Sequence, residues 1–484
     1  ISASVKSTVS IIRNVIATAT KYKGHFKEGR ISRAVGDCID LMDSTAEQLM
    51  LTLAACHNKA SNDNATGDVI ADMRSWLSAA LINQETCLDG FGHEDCIVRR
   101  LISANLKRIS SFVVEILRNI KAKKSGGGGG TCKNFKGSKE NVSKQTSEKK
   151  IYPQWLKSED MKNIESRNVA TANAIVAADG TGDFSRIQDA INAAPNCSAN
   201  RYVIYIKKGV YHEYVEILKN KVNIMLVGDG IDATVISGNR NYVDGWTTYR
   251  SATFAVKGEG FIARDITFEN TAGAEKHQAV AFRSESDLSV LYRCAFRGFQ
   301  DTLYAHSQRQ FYRGCVITGT VDFIFGDAAA VFQNCQILAR KGIPGQQNTI
   351  TAQGRKESAE STGFIIQFCN ISVDRDVVAA GTAIETYLGR PWKQYSRTII
   401  MQSYIGGAIR AEGWLAWKGN FALNTLYYAE YDNSGPGAAV NGRVKWAGCH
   451  VLKTPKEANT FTVRYFIIGH VWLPETGVQF AAGL

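Results

Sequence analysis

The sequence predicts a small all-α bundle followed by a right-handed parallel β-helix. Three observations lead there. Residues 1 to about 120 carry apolar side chains at helical spacing, the composition breaks at the glycine run Gly126–Gly130, and beyond about residue 170 short β-prone units recur every 20 or 21 residues.

In the first part, Val5, Thr8, Ile12, Val15 and Ile16 fall on one helical face, as do Ile102, Leu106, Ile109, Val113 and Leu117. That spacing marks amphipathic helices, and no strand alternation interrupts them, so they form a bundle. Cys38 and Cys87 stand in separate helices, positioned to cross-link them or to remain two buried thiols. The stretch from the glycine run to about residue 150 is rich in Lys, Ser and Asn and too poor in apolar residues for a core. It reads as a flexible basic linker.

The β-units are Ile262–Asn270, Leu291–Gly298, Phe311–Gly319 and Val331–Leu338, with Cys294, Cys315 and Cys335 in step at intervals of 21 and 20. One short strand per step at a period near 20 means stacked coils. A sandwich would instead show hairpin turns every 8–12 residues. Stacked cysteines come within disulfide reach, and the spacing admits Cys315–Cys335 and Cys294–Cys315 equally. Phe184, Ile187, Ala190, Ile191 and Ala194 form an amphipathic segment suited to cover the first coil, and the tail beyond residue 420 packs over the outer coils or the far end.

The whole chain has 484 residues, 44% hydrophobic and 21% charged, with a net charge of +12. Its length calls for two or three domains. Its charge favours a polyanionic partner, yet no zinc-finger spacing or RNA-binding aromatic signature accompanies it, which argues against nucleic acid. No apolar run reaches a membrane span. Ile1 stands first with no signal peptide before it, so the N-terminus reads as processed or trimmed. Eleven cysteines without a CxxC pair, and N-x-S/T patterns at Asn64, Asn141, Asn196 and Asn370, favour disulfides, secretion and no metal site.

Asp301 and Asp322 are 21 residues apart, one coil, inside Gly298–Tyr304 and Gly319–Gly326. Stacking places them about 5 Å apart at the strand spacing. Two carboxylates that close cannot both ionise freely, so such a pair can hold an acid beside a nucleophile. Paired carboxylates can also be structural or bind a metal.

The segments Gly209–Glu213, His277–Ala281, Gly298–Tyr304, Val321–Gly326 and Leu388–Trp392, with the closing Trp472–Val478, resemble the signature blocks of plant pectin methylesterases. The resemblance runs from about residue 173 to Leu484. That family's fold is a right-handed parallel β-helix, in agreement with the periodicity. Arg33–Cys38, Trp76–Ala80 and Thr86–Phe91 resemble the pectin methylesterase inhibitor fold, a four-helix bundle with a hairpin extension. The division that results is an inhibitor-like bundle over 1–122, N-terminally incomplete, a linker over 123–168 and the esterase domain over 169–484.

The resemblance implies hydrolysis of galacturonate methyl esters to pectate and methanol in the cell wall, without a cofactor or metal. It assigns Asp322 as nucleophile and Asp301 as proton donor and later acceptor. Gln278 and Gln300, 22 residues apart, hold the oxyanion, and Arg390 orients Asp322 and meets substrate. Thr248, Trp392, Phe299 and Tyr304 are the further substrate contacts, Trp392 by stacking on a sugar ring. The resemblance also pairs Cys38 with Cys87, and makes the bundle a regulatory partner of its own enzyme domain alongside pectin and any separate inhibitor protein. Relatives carry an Arg-Arg-Leu-Leu-like cut site before the enzyme domain. Here Ser158–Ser166 lacks the dibasic pair, and Arg99-Arg100-Leu101 lies within a bundle helix, so inefficient cleavage is expected. No Gly-x-Ser-x-Gly elbow supports a serine hydrolase. A polygalacturonase would show Gly-His-Gly, which is absent, and a pure inhibitor or binding module would not need the full motif set.

Overall fold

The computed structural model describes residues 2–57, 66–92, 94–125, 172–380 and 384–484. Gly126–Gly130, Asn64, Asn141 and the segment 158–166 lie outside the described residues.

Four helices, α1 (Ser2–Lys23), α2 (Arg30–His57), α3 (Val69–Asp89) and α4 (Ile97–Ser125), make the bundle. Val5, Thr8, Ile12 and Val15 of α1 and Ile102, Leu106, Ile109, Val113 and Leu117 of α4 are all buried, as the 3.6-residue spacing requires. The Asp68 carboxylate accepts from Ala71 N and so caps α3. A disulfide joins Cys38 on α2 to Cys87 on α3.

The second part is a parallel β-helix. Its strands form sheets of eleven, seven and eight among the described residues, and every strand pair is parallel. Successive coils add one strand to each sheet. Phe254, Phe268, Phe282, Phe296, Tyr312, Phe332 and Phe364 fill the interior as a run of contacting rings. Aromatic residues at equivalent positions meet because the parallel register aligns side chains from coil to coil.

Helix α5 (Ile187–Ala193) covers the first coil with Ile187, Ala190 and Ile191 buried, and the Glu213 carboxylate accepts from Ile187 N and Gln188 N at its start. The tail supplies the last two strands of the eleven-stranded sheet, Tyr427–Tyr431 and Cys449–Val451. It then returns over the outer face of that sheet, where Val463, Ile467, Trp472 and Leu473 pack on Val290, Phe311, Val331 and Ile365.

One expectation is corrected. Cys315 and Cys335 are free thiols, and so are Cys294 and Cys369 on the coils either side. The Cys315 and Cys335 thiols neighbour each other without being joined, and each also lies against a main-chain carbonyl of the preceding coil, Cys315 Sγ 3.3 Å from Leu291 O and Cys335 Sγ 3.6 Å from Tyr312 O. Stacking brings the two thiols together, as the spacing predicts, but does not join them. Burial pushes the Cys294 thiol up to about 12, an unreactive state.

Candidate active site

The site lies at the approach to the seven-stranded sheet. Leu303 pairs with Ile324 across adjacent coils, so Asp301 and Asp322, each two residues before its strand residue, share one register position. Both have left-handed backbones, at φ 62° and 52°. A non-glycine residue held there is uncommon and is maintained by its surroundings, here by Asp301 N donating to Val321 O and Asp322 N to Thr349 Oγ1.

Arg390 grips Asp322 with both arms of its guanidinium, Nε to Oδ1 and Nη2 to Oδ2, each at 2.7 Å. Thr349 Oγ1 donates to Oδ1 at 2.7 Å. A carboxylate with three charge-assisted donors is fixed in place and orientation. Asp301 has no such partner among the described residues. Burial first, and the neighbouring Asp322 charge second, hold its carboxyl well above the usual carboxylate range, against the smaller pull of Arg390. The site therefore holds one clamped and oriented carboxyl group beside a second whose proton burial retains.

Gln278 and Gln300 come to neighbouring coils, linked by Ala279 N donating to Gln300 O. Both side chains are half-buried, and neither carboxamide has a hydrogen-bond partner among the described residues. Two unspent amide donors are thus available beside the carboxylates. Trp392 stands edge-on to Tyr304 and Phe325, with ring centroids 6.5 and 6.0 Å apart, while Tyr304 stacks on Phe325 at 4.1 Å. Phe299 lies under the Arg340 guanidinium, 4.2 Å from its carbon. Thr248 is half-buried at the start of the short turn Tyr249–Ser251.

Two participants escaped sequence reasoning. Trp417 lies 4.3 Å from the Arg390 guanidinium carbon and backs it from a distant loop. Thr349 is invisible to a 21-residue period because this coil is longer: Ile324 pairs with Thr351, 27 residues on.

The bundle is docked across this same face. Thr86 of α3 shares hydrogen bonds with His306 Nε2 at 2.9 Å and Tyr304 OH at 3.3 Å. Burial lowers His306 to about 4, so it is neutral there. Asp37 pairs with Arg250 and accepts from Thr247 Oγ1 at 2.6 Å, beside Thr248. Asp72 accepts from Arg309 at 2.7 Å, and Asp43 and Glu47 face Lys219 at 2.7 and 3.0 Å. Arg30 and Arg33 lie over Tyr242 and Trp246, 3.6 and 4.0 Å from the ring centres. Tyr304, Phe325, Val280 and Trp392 belong to the same continuous apolar cluster as Trp76, Leu77 and Leu81 of α3. Most of the charge pairs put the acid on the bundle and the base on the β-helix.

A parallel β-helix with a paired carboxylate and carboxylic acid on its side, covered by a four-helix bundle, defines a two-part hydrolase. Residues 173–470 match the Pectinesterase family and residues 1–122 the plant invertase/pectin methylesterase inhibitor family. The chain belongs to the pectinesterase family, the carboxylic ester hydrolases that are pectin methylesterases, and carries an inhibitor-like N-terminal domain. It is 55% identical to probable pectinesterase/pectinesterase inhibitor 32 of Arabidopsis thaliana, over 99% of this chain and 90% of that protein. It is 54% identical to pectinesterase/pectinesterase inhibitor PPE8B of Prunus persica, over 99% and 88%. Among solved structures, carrot pectin methylesterase matches 65% of this chain and 99% of its own at 53% identity, with a TM-score of 0.64. No helix among the described residues is long and apolar enough to cross a membrane.

Proposed function

We propose that Asp322 is the nucleophile and Asp301 the general acid and base in hydrolysis of galacturonate methyl esters of pectin. The observation that carries this reading is the asymmetry of the pair: one carboxylate clamped by Arg390 and Thr349, its stacked neighbour kept protonated by burial. Asp322 attacks the ester carbonyl, and the oxyanion that forms is met by the free amides of Gln278 and Gln300. As the tetrahedral intermediate collapses, the C–O bond to methoxide breaks and Asp301 gives its proton, releasing methanol. Water then attacks the acyl-enzyme, Asp301 takes the water proton, and Asp322 leaves as a carboxylate with galacturonate as product. Trp392 and Tyr304 supply an apolar wall for a sugar ring, Phe299 and Thr248 extend the contact, and Arg390 meets substrate on the side turned from Asp322.

Bundle contacts surround the cleft at Thr86, Asp37 and α3, which supports a pro-region that silences its own enzyme until removed. The N-x-S/T patterns, the disulfide and the basic charge fit a secreted protein working on cell-wall polyanion. Methanol release from highly methyl-esterified pectin tests both parts, comparing the full chain with a fragment starting near Asn173. Activity in the fragment alone supports an internal inhibitor. Activity in both leaves the esterase and removes the inhibition, and silence in a folded fragment rejects the esterase mechanism.

A further inference from the structure

Beside the aromatic wall lies a charge cluster that the reaction does not use. Lys393 follows Trp392, three residues past Arg390, and its Nζ stands 5.0 Å from the Trp392 ring centre. It contacts Asp89 Oδ2 at 3.1 Å and Glu85 Oε2 at 3.3 Å, while Lys356 holds the other Glu85 oxygen. Glu85 and Asp89 are four residues apart on α3 and so project from one face of the helix, with Thr86 between them reaching Tyr304 and His306. The Lys393 and Glu85 side chains are each only 16% exposed. When the bundle leaves, Lys393 and Lys356 lose these carboxylates and stand beside the Trp392 wall, free to pair with another carboxylate that enters there.

The polymer that enters this cleft carries that group. Every turnover converts a neutral ester into a carboxylate, and partly processed pectin presents free carboxylates beside esters still to be cut. We propose that Lys393 and Lys356 form a subsite for the carboxylate of a galacturonate neighbouring the one being de-esterified, and that Glu85 and Asp89 occupy it in the joined chain as mimics of that substrate. The proposal rests on the esterase reading above and deepens it: the lysines favour ester units beside a freed carboxylate. It also gives the docked bundle a reason to be acidic here, since helix and product compete for the same two cations. A cavity of about 700 Å³, lined in part by Glu85, Lys356, Glu357 and Arg118, opens beside the cluster and leaves Lys356 reachable from solvent.

The test uses the chain folded whole, then cut at a protease sequence placed in Gly126–Gly130 and freed of the bundle. The β-helical part stands alone in the carrot enzyme, 99% of which this chain covers. KM is compared for two galacturonate oligomers of equal length, one fully methyl-esterified and one with free carboxylates on alternate residues. The wild type has the lower KM for the second. Lys356→Gln/Lys393→Gln loses that preference by roughly tenfold, the worth of one charge-assisted hydrogen bond. Lys393→Arg, which keeps the charge, retains most of it. An unchanged KM ratio in the double variant overturns the subsite, whether the absolute rates fall or not. Absence of methanol from the wild type overturns the esterase reading instead. In the uncut chain, Glu85→Gln/Asp89→Asn raises activity, and a silent variant with its bundle still folded counts against mimicry.

Discussion

Asp301 and Asp322 stand at the same register position on successive coils, both with left-handed backbones, yet only Asp322 is gripped by a guanidinium. The repeat makes the two carboxyl groups equivalent in place, and Arg390 with Thr349 makes them different in partners. A parallel stack sets strands about 4.8 Å apart. At that distance the ionisation of one group is felt by the other, and burial of Asp301 decides which of them keeps the proton.

Asp322→Asn abolishes methanol release by the freed enzyme while its far-ultraviolet circular dichroism is unchanged. Asp301→Ala lowers kcat by several orders of magnitude, because an ester without a proton donor must expel methoxide. The double variant is scarcely slower than either single one, as for residues that act as a unit. Near-normal turnover in Asp322→Asn would falsify its role.

Asp301 sets the alkaline side of the pH profile. Its folded pKa is raised, so its favourable contribution is complete below the ordinary carboxylate range and is lost as pH rises through the folded value. Activity falls over that same window, since the proton needed by methanol is gone. Melting temperature measured from pH 5 to 9 should decline less steeply in Asp301→Asn than in wild type. Parallel declines would place the alkaline instability elsewhere.

The sequence carried the fold through its periods. Helical spacing announced α1 and α4, and the Cys294, Cys315 and Cys335 ladder announced the coils, because each pattern records a face that must be buried. Asp301 and Asp322 were legible because they sit inside the period. Thr349 was not, since the coil that carries it takes six extra residues through Gly342–Gln347. Spacing placed Cys315 beside Cys335, but in a ladder where Cys294 and Cys369 are also stacked, separation alone does not say which thiols are joined. The docking of α3 over Tyr304 has no periodic signature at all. It is a match between two surfaces far apart in the chain, and only the acid-to-base pairing across them makes it intelligible afterwards.

The Cys38–Cys87 bridge closes a span of 49 residues within the bundle. Loop-closure entropy for such a span is worth about 4 kcal/mol. Cys38→Ser/Cys87→Ser therefore lowers the melting temperature of the bundle by about 10 °C or more, and leaves the transition of the separated β-helix in place. Calorimetry on the cut and separated parts resolves the two. Equal melting of bridged and unbridged bundle would show that the cross-link contributes nothing.

The buried thiols give a chemical check on the corrected pairing. In the native protein a thiol reagent labels exposed Cys197 quickly and leaves Cys294, Cys315, Cys335 and Cys369 untouched. After denaturation without reductant all four react, and peptide masses place a label on both Cys315 and Cys335. Recovery of those two peptides joined would restore the Cys315–Cys335 disulfide.

Asp37 is the sharpest test of docking. It is fully buried beneath Arg250 and Thr247, and burial raises its pKa despite the guanidinium, so its ionised form depends on those two partners. Among the described residues, Asp37→Ala leaves Arg250 with Asp40 as its one acidic partner and Thr247 Oγ1 without its acceptor. Breaking a buried pair by removing one member costs about 3 kcal/mol at the lower end of the usual range, a shift of over a hundredfold toward the undocked state. The full-length variant thus releases methanol faster than full-length wild type, whereas the freed enzyme, which lacks residue 37, sets the upper limit for both. Asp37→Asn, which can still accept from Thr247, falls between them. Bundle folding is followed separately through its helical circular dichroism. If Asp37→Ala keeps a folded bundle and yet stays as silent as wild type, docking does not depend on this ion pair, and the contacts of α3 at Tyr304 and Lys393 carry it instead.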